Sequence, residues 1–273
     1  MRTRIILTVL VALLPACGGS SDDEQLEIVA AFYPLAYAAE RVAPTAEVEN
    51  LTPAGAEPHD LELSARDVQR VQEADTVLYL GAGFMPALEQ AVEGRANAVD
   101  LLAGRGAAQD PHVWLDPLRY AAIVRTIATV LGDRAAADEL VARLQRLDGE
   151  FRAGLADCER RELVTSHAAF GHLAKRYRLE QTPLAGVSPE VEPSARAIHA
   201  LVEQVEQRGA TTVFFETLVS PKLAETVARE AGAHTAVLNP LEGLTEEELD
   251  AADDYFSVMR DNLAALREAL ACA

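Results

Sequence analysis

Short apolar runs alternate with helical patterns along most of the chain. Runs at 28–32, 48–52, 76–80 and 98–101 read as buried strands. Between them, residues 35–42, 64–73 and 85–92 carry helical spacing. Ser64 lies three residues before Asp67, the spacing of a capping box that opens the second of these helices. Residues 116–157 are different, being almost wholly helical in pattern, with a break at Gly132-Asp133. Leu140, Leu144, Leu147, Phe151 and Leu155 are spaced 4, 3, 4 and 4 apart, which puts them on one helix face. Gly149 and Gly154 weaken such a helix by up to about 1 kcal/mol each, so packing has to support it. The alternation then resumes, with strands at 162–166, 211–215 and 234–238 and helices at 170–176, 194–207, 222–231 and 253–270. Repeated strand–helix units build parallel sheets. The expected fold is α/β: two (β/α) lobes with parallel sheets, joined by a long backbone helix, with a cleft between the lobes. The lobes are expected at 27–132 and 159–273, and the connecting helix at 133–158.

The first residues follow a different logic. Arg2 and Arg4 precede an apolar run at 5–14 that is ten residues long. A membrane span needs about 20, so residues 1–16 read as a secretory signal peptide. Leu14-Pro15-Ala16-Cys17-Gly18 resembles a bacterial lipobox, which makes Cys17 the lipidated first residue of the mature chain. Plain secretion with cleavage near Ala16 is the alternative. Residues 17–26 then form the lipidated cysteine and its polar tether. The expected location is extracytoplasmic, anchored by lipid to the cell membrane at the periplasm or the cell surface.

Composition narrows the possibilities. The chain has 273 residues, 49% of them hydrophobic, enough for a substantial core. Its formal charge is −19, so no nucleic acid partner is expected, because phosphates need a basic face. With Cys17 assigned to the anchor, Cys158 and Cys272 remain. An even pair in an exported chain points to a disulfide, the alternative being two separate buried thiols.

Candidate chemistry lies in three loops. His59 follows the second strand, His112 the fourth, and His167 ends the first strand of the second half. Ligands of open α/β sheets bind outside the carboxyl ends of the strands. Two of these histidines come from one lobe and one from the other, so they could share a metal ion across the cleft. Three imidazoles and a fourth group make a tetrahedron suited to zinc. A histidine in a loop is, however, commonly only a solvated polar residue, and spacing alone leaves both readings open. His172 and His199 fall on helices and His234 at the amino end of its strand, away from that edge.

Six segments carry a resemblance in order along the chain. They are Ala31-Phe32-Tyr33-Pro34-Leu35, Gly55-Ala56-Glu57-Pro58-His59-Asp60, Asp110-Pro111-His112-Val113-Trp114-Leu115-Asp116, Ser166-His167-Ala168-Ala169-Phe170-Gly171, Phe214-Phe215-Glu216 and Asn239-Pro240-Leu241-Glu242-Gly243-Leu244. Together they resemble the ZnuA-like and TroA-like solute-binding proteins of bacterial zinc and manganese ABC transporters. The resemblance implies a rigid backbone helix, a metal in the interlobe cleft and delivery to an ABC transporter permease. It carries the ligand role onto His59, His112 and His167. Manganese-type members place a carboxylate where this chain has His167, which favours Zn2+ over Mn2+ as the transported ion. Many members have Asp where this chain has Asn239, so the fourth ligand is expected to be Asn239, Glu57, Glu216 or water. The short segment at 102–109 stands where some members carry a long His-rich loop. Catalysis is not expected, since the chain has no HExxH pair and no nucleophile elbow. A manganese-binding homologue, a metal-binding adhesin and a metallochaperone are the alternatives. The expected state is a monomer attached to the membrane by its lipid.

Overall fold

Each half of the chain winds its strands into a parallel four-stranded sheet. A computed structural model of the protein describes residues 25–104, 106, 110–132, 134–188 and 194–273. The expected signal peptide, the lipidated Cys17 and most of the tether lie outside these residues. No helix among the described residues is long and apolar enough to cross a membrane.

The first lobe runs β1 (Glu27–Ala30), α1 (Tyr33–Val42), β2 (Glu47–Asn50), α2 (Ala65–Glu73), β3 (Thr76–Tyr79), α3 (Pro86–Ala91) and β4 (Ala98–Asp100). A single 3-10 turn, Val113–Leu115, leads into α4 (Pro117–Leu131) and α5 (Arg134–Gly154). The second lobe runs β5 (Glu162–Thr165), α6 (Gly171–Tyr177), β6 (Glu180–Pro183), α7 (Ala195–Arg208), β7 (Thr212–Phe215), α8 (Lys222–Ala231), β8 (His234–Val237), α9 (Glu246–Asp250) and α10 (Tyr255–Ala269). The sheets have the same order, β2-β1-β3-β4 and β6-β5-β7-β8. Ile28 pairs with Val48 on one side and Thr76 on the other, and Val164 pairs with both Thr182 and Val213. Strand order reverses between β1 and β3 and between β5 and β7, and the crevice at such a point opens at the carboxyl ends.

Local signals account for most element ends. Ser64 and Asp67 close the capping box of α2 reciprocally. Asp116 accepts from the backbone of Leu118 and Arg119 to cap α4, and Gly132 ends α4 in the left-handed region at φ 88°. That glycine is the physical cause of the break between α4 and α5. The apolar stripe from Leu140 to Leu155 is buried throughout. Gly154 has a packing reason to interrupt it: a Cβ there would lie 3.1 Å from Leu263 of α10 and 3.2 Å from Arg267. The missing side chain lets α10 close on α5. Arg176 of α6 binds Asp148 of α5 at 2.5 Å and Asp116 at 3.3 Å, tying the second lobe to the backbone helix and to the cap of α4.

Two elements depart from the sequence reading. β6 is Glu-Gln-Thr-Pro, a polar edge strand with no apolar run, formed because β5 offers it a parallel partner. α9 is a five-residue acidic helix with no buried residue, held by a capping box between Thr245 and Glu248.

Cys158 and Cys272 form a disulfide across 114 positions, joining the segment before β5 to the chain just past α10. Closing so long a loop in the unfolded chain stabilises the fold by about 2–5 kcal/mol. Replacing both cysteines with serine is expected to lower the unfolding free energy by about that amount in urea titrations. An unchanged midpoint and slope would contradict this role.

Candidate metal centre

All three expected histidines lie at carboxyl edges of the sheets, and the structure brings them together. His59 lies in the loop after β2, His112 in the loop after β4, and His167 two residues past β5. His112 and His167 are fully buried, and the His59 side chain is 5% exposed. The fourth converging group is Glu242, in the loop after β8 and fully buried. Each lobe therefore contributes two donors.

The spacing of these donors is specific. A tetrahedral ion with arms of about 2.0–2.1 Å needs donors about 3.3–3.4 Å apart. His112 Nε2 lies 3.4 Å from His59 Nε2 and 3.3 Å from His167 Nε2. Glu242 Oε1 lies 3.0 Å from His112 Nε2 and 3.4 Å from the Nε2 atoms of His59 and His167. The remaining edge, His59 to His167, is within 4.8 Å. Glu242 Oε2 is buried and makes no hydrogen bond among the described residues.

Carboxylates behind the rings decide which nitrogens face inward. His112 Nδ1 lies 2.8 Å from Asp110 Oδ1, and His167 Nδ1 lies 2.7 Å from Glu216 Oε1. Each carboxylate accepts the Nδ1 proton, which leaves the Nε2 lone pair for the centre and makes the ring a better donor. Glu57 accepts from the His59 backbone at 3.1 Å. The first-lobe rings rest on an aromatic floor: Phe84 meets His59 at a centroid distance of 4.5 Å, and Trp114 meets His112 at 5.2 Å. Water is excluded, so unpaired lone pairs here would be costly and a cation strongly favoured.

The proton equilibria point the same way. Burial opposes protonation of His167, yet its bonds to Glu216 and Glu242 outweigh this and push its pKa up to about 10. His112 is raised too, its bonds to Asp110 and Glu242 overcoming burial. Burial works against the Glu242 anion, but the three imidazoles hold its carboxyl well below the usual range. Burial, then the charge of Glu242, pushes Glu57 up to about 9. The cluster is built around positive charge, supplied by a metal or, without one, by protons.

The expected alternatives for the fourth position hold other posts. Asn239 Oδ1 accepts from Leu241 N at 2.7 Å, and its Nδ2 donates to Glu248 at 2.8 Å. Its backbone N and O are both bound by Asn262. These bonds build the turn that holds Leu241 at φ 56° and presents Glu242 one residue later. Trp114 Nε1 fixes the same turn from the first lobe, donating to Pro240 O at 2.7 Å. Glu57 and Glu216 stand one residue back from the centre, on the backbone of His59 and the ring of His167. Of the histidines set aside, His199 is exposed on α7, His234 is exposed at the start of β8, and His172 Nε2 donates to Asp110 O at 2.9 Å. Glu242 was legible by the rule that found the histidines, since it too follows the carboxyl end of a strand.

Known proteins resemble this chain over most of its length. High-affinity zinc uptake system protein ZnuA of Bacillus subtilis is 33% identical, over 97% of this chain and 96% of its own length. Zinc-binding lipoprotein AdcA of Streptococcus pneumoniae is 37% identical over 97% of this chain. The chain spans 60% of that protein and 56% of zinc-binding protein AdcA of Streptococcus pyogenes. The crystal structure of the Zn(II)-bound ZnuA-like domain of the pneumococcal AdcA superposes with a TM-score of 0.78 at 36% identity, covering 90% of this chain and 99% of that one. Residues 28–269 match the family described as ZnuA, zinc-uptake complex component A, periplasmic, and the chain belongs to that family.

Proposed function

We propose that this protein captures zinc outside the cytoplasm and hands it to an ABC permease. The observation that carries this reading is the set of four buried donors at tetrahedral spacing, two from each lobe. Three imidazoles with one carboxylate suit zinc, whereas manganese prefers a shell richer in oxygen. The ligands are His59, His112 and His167 through Nε2 and Glu242 through Oε1. Asn239, Glu57 and Glu216 support these ligands and do not touch the ion. Four protein donors close the tetrahedron and leave no open position for the water a catalytic zinc needs. Division of the ligands between lobes makes the site reversible, because separating the lobes halves the shell. Cys17 carries the lipid that keeps the protein at the membrane beside its permease, and the domain works as a monomer.

The ligand set is tested by substitution. His112→Ala, His167→Ala and Glu242→Gln are each expected to weaken zinc binding by more than the roughly 10–100-fold typical of outer supporting groups. His199→Ala is expected to leave it unchanged. Competition with a chelator measures this, and parental affinity in Glu242→Gln would remove Glu242 from the shell.

Asn239→Asp separates ligand from scaffold. If residue 239 bound the metal, a carboxylate there would tighten binding. In this structure it replaces the donor to Glu248 with a like charge, costing about 1–3 kcal/mol. Weaker zinc binding and a lower melting temperature are expected, and tighter binding would refute the scaffold role.

Proton competition gives a third test. His167, pushed up to about 10 by its bonds to Glu216 and Glu242, holds a proton at neutral pH that zinc has to displace, and His112 is shifted in the same direction by Asp110 and Glu242. Glu242, held low, stays ionised and adds no competition. Affinity is therefore expected to rise with pH, by about tenfold per unit for each proton displaced, across the range from about pH 6 to 8. A flat profile there would contradict it.

A further inference from the structure

The second lobe reaches across the cleft to the group that aims a first-lobe ligand. Asp110 belongs to the loop after β4, and its Oδ1 accepts from both His112 N at 3.0 Å and His112 Nδ1 at 2.8 Å. Its other features are gripped from α6 of the opposite lobe. His172 Nε2 lies 2.9 Å from Asp110 O and 3.6 Å from Asp110 Oδ2. A carbonyl only accepts, so this nitrogen carries the proton and donates. Gly171, at the start of α6, lies against the carboxylate itself: a Cβ there would come within 2.6 Å of Asp110 Oδ2. The carboxylate cannot retreat freely, because retreat breaks its two bonds to His112. The glycine is thus required by a close approach and not by backbone angle, since its φ is not in the left-handed region.

We infer that His172 and Gly171 are positioning residues that make the aim of His112 depend on contact between the lobes. Neither touches the metal. His172 anchors the Asp110 backbone by its hydrogen bond, and Gly171 leaves room for the Asp110 side chain. Both sit just past His167, so the segment that supplies one second-lobe ligand also steadies a ligand of the first. When the lobes part, the Asp110 backbone loses its anchor and the His112 ring loses a fixed orientation. Affinity then falls further than loss of the opposite ligands alone would cause, which favours release at an opened cleft. This inference rests on the zinc-binding reading above.

The test uses the full chain, zinc with a chelating competitor, and cobalt as a spectroscopic substitute. His172→Phe is expected to weaken zinc binding by about tenfold, the low end for an outer partner of a metal ligand. His172→Gln, whose amide reaches the same carbonyl, is expected to restore binding to near the parent. Gly171→Ala approaches Asp110 from the other side and is expected to cost about 10–100-fold, with a changed visible spectrum of bound cobalt. In an Asp110→Ala background, His172→Phe is expected to cause no further loss, because its path to His112 is already cut. Melting of the metal-free proteins shows that each variant is folded. Parental affinity in both His172→Phe and Gly171→Ala overturns the inference. So does a Gln variant as weak as the Phe variant, or a His172→Phe loss that persists in full without Asp110. A parent protein that binds no zinc overturns the functional reading as well, whereas a parent that binds zinc beside unaffected variants overturns this inference alone.

Discussion

Three imidazole nitrogens and one carboxylate oxygen face each other in a dry cleft, and the rest of the structure serves to keep them there. Left alone, such a cluster would not hold. Buried lone pairs without hydrogen-bond donors raise the free energy of the fold, and a buried carboxylate does so still more. A divalent cation removes both penalties at once. The same preference for positive charge shows in the rings themselves, where bonds to Glu216, Asp110 and Glu242 outweigh burial and raise the pKa of His167 and His112. The preference for a small cation is thus a property of the whole cavity, from its aromatic floor to the carboxylates behind the rings.

The fold supplies the convergence through repeated geometry. Both sheets have the same strand order, so the carboxyl edges of β2, β4, β5 and β8 all open on one crevice. Cross-lobe bonds then fix the distance. Trp114, two residues past His112, holds the carbonyl of Pro240, two residues before Glu242. Gly55, in the His59 loop, donates to Leu244 just beyond Glu242 at 2.9 Å. Tyr255 at the start of α10 donates to the Trp114 carbonyl at 2.7 Å. The His59, His112 and Glu242 loops are therefore braced across the cleft, which sets the spacing of their donors.

The lobes, the long helix and the three histidines were readable because their signals are periodic or positional. Leu140 through Leu155 announce a buried helical stripe, and a histidine after a strand end is visible in any strand–helix alternation. Other features depend on partners that sequence order does not reveal. β6 exists only because β5 lies beside it. Gly154 looks like a defect until α10 is placed against it, and Gly171 looks like a helix start until Asp110 arrives from 61 positions earlier. Glu242 was hidden differently: it lies three positions past Asn239 in the same loop, and only the folded turn, built by Asn239, shows which of the two side chains converges with the histidines. α9 has the same capping-box spacing as α2, Thr245 to Glu248, but its five residues bury no side chain and so carry no apolar periodicity to read.

We propose that zinc sits among His59, His112, His167 and Glu242. A crystal structure of the zinc-loaded protein, with the ion located by anomalous scattering at the zinc edge, tests this. One interlobe ion is expected, bound by three Nε2 atoms and Glu242 Oε1 at about 2.0–2.2 Å. Zinc bound by Asn239, Glu57 or Glu216 in place of Glu242, or lying outside the interlobe cleft, would contradict it.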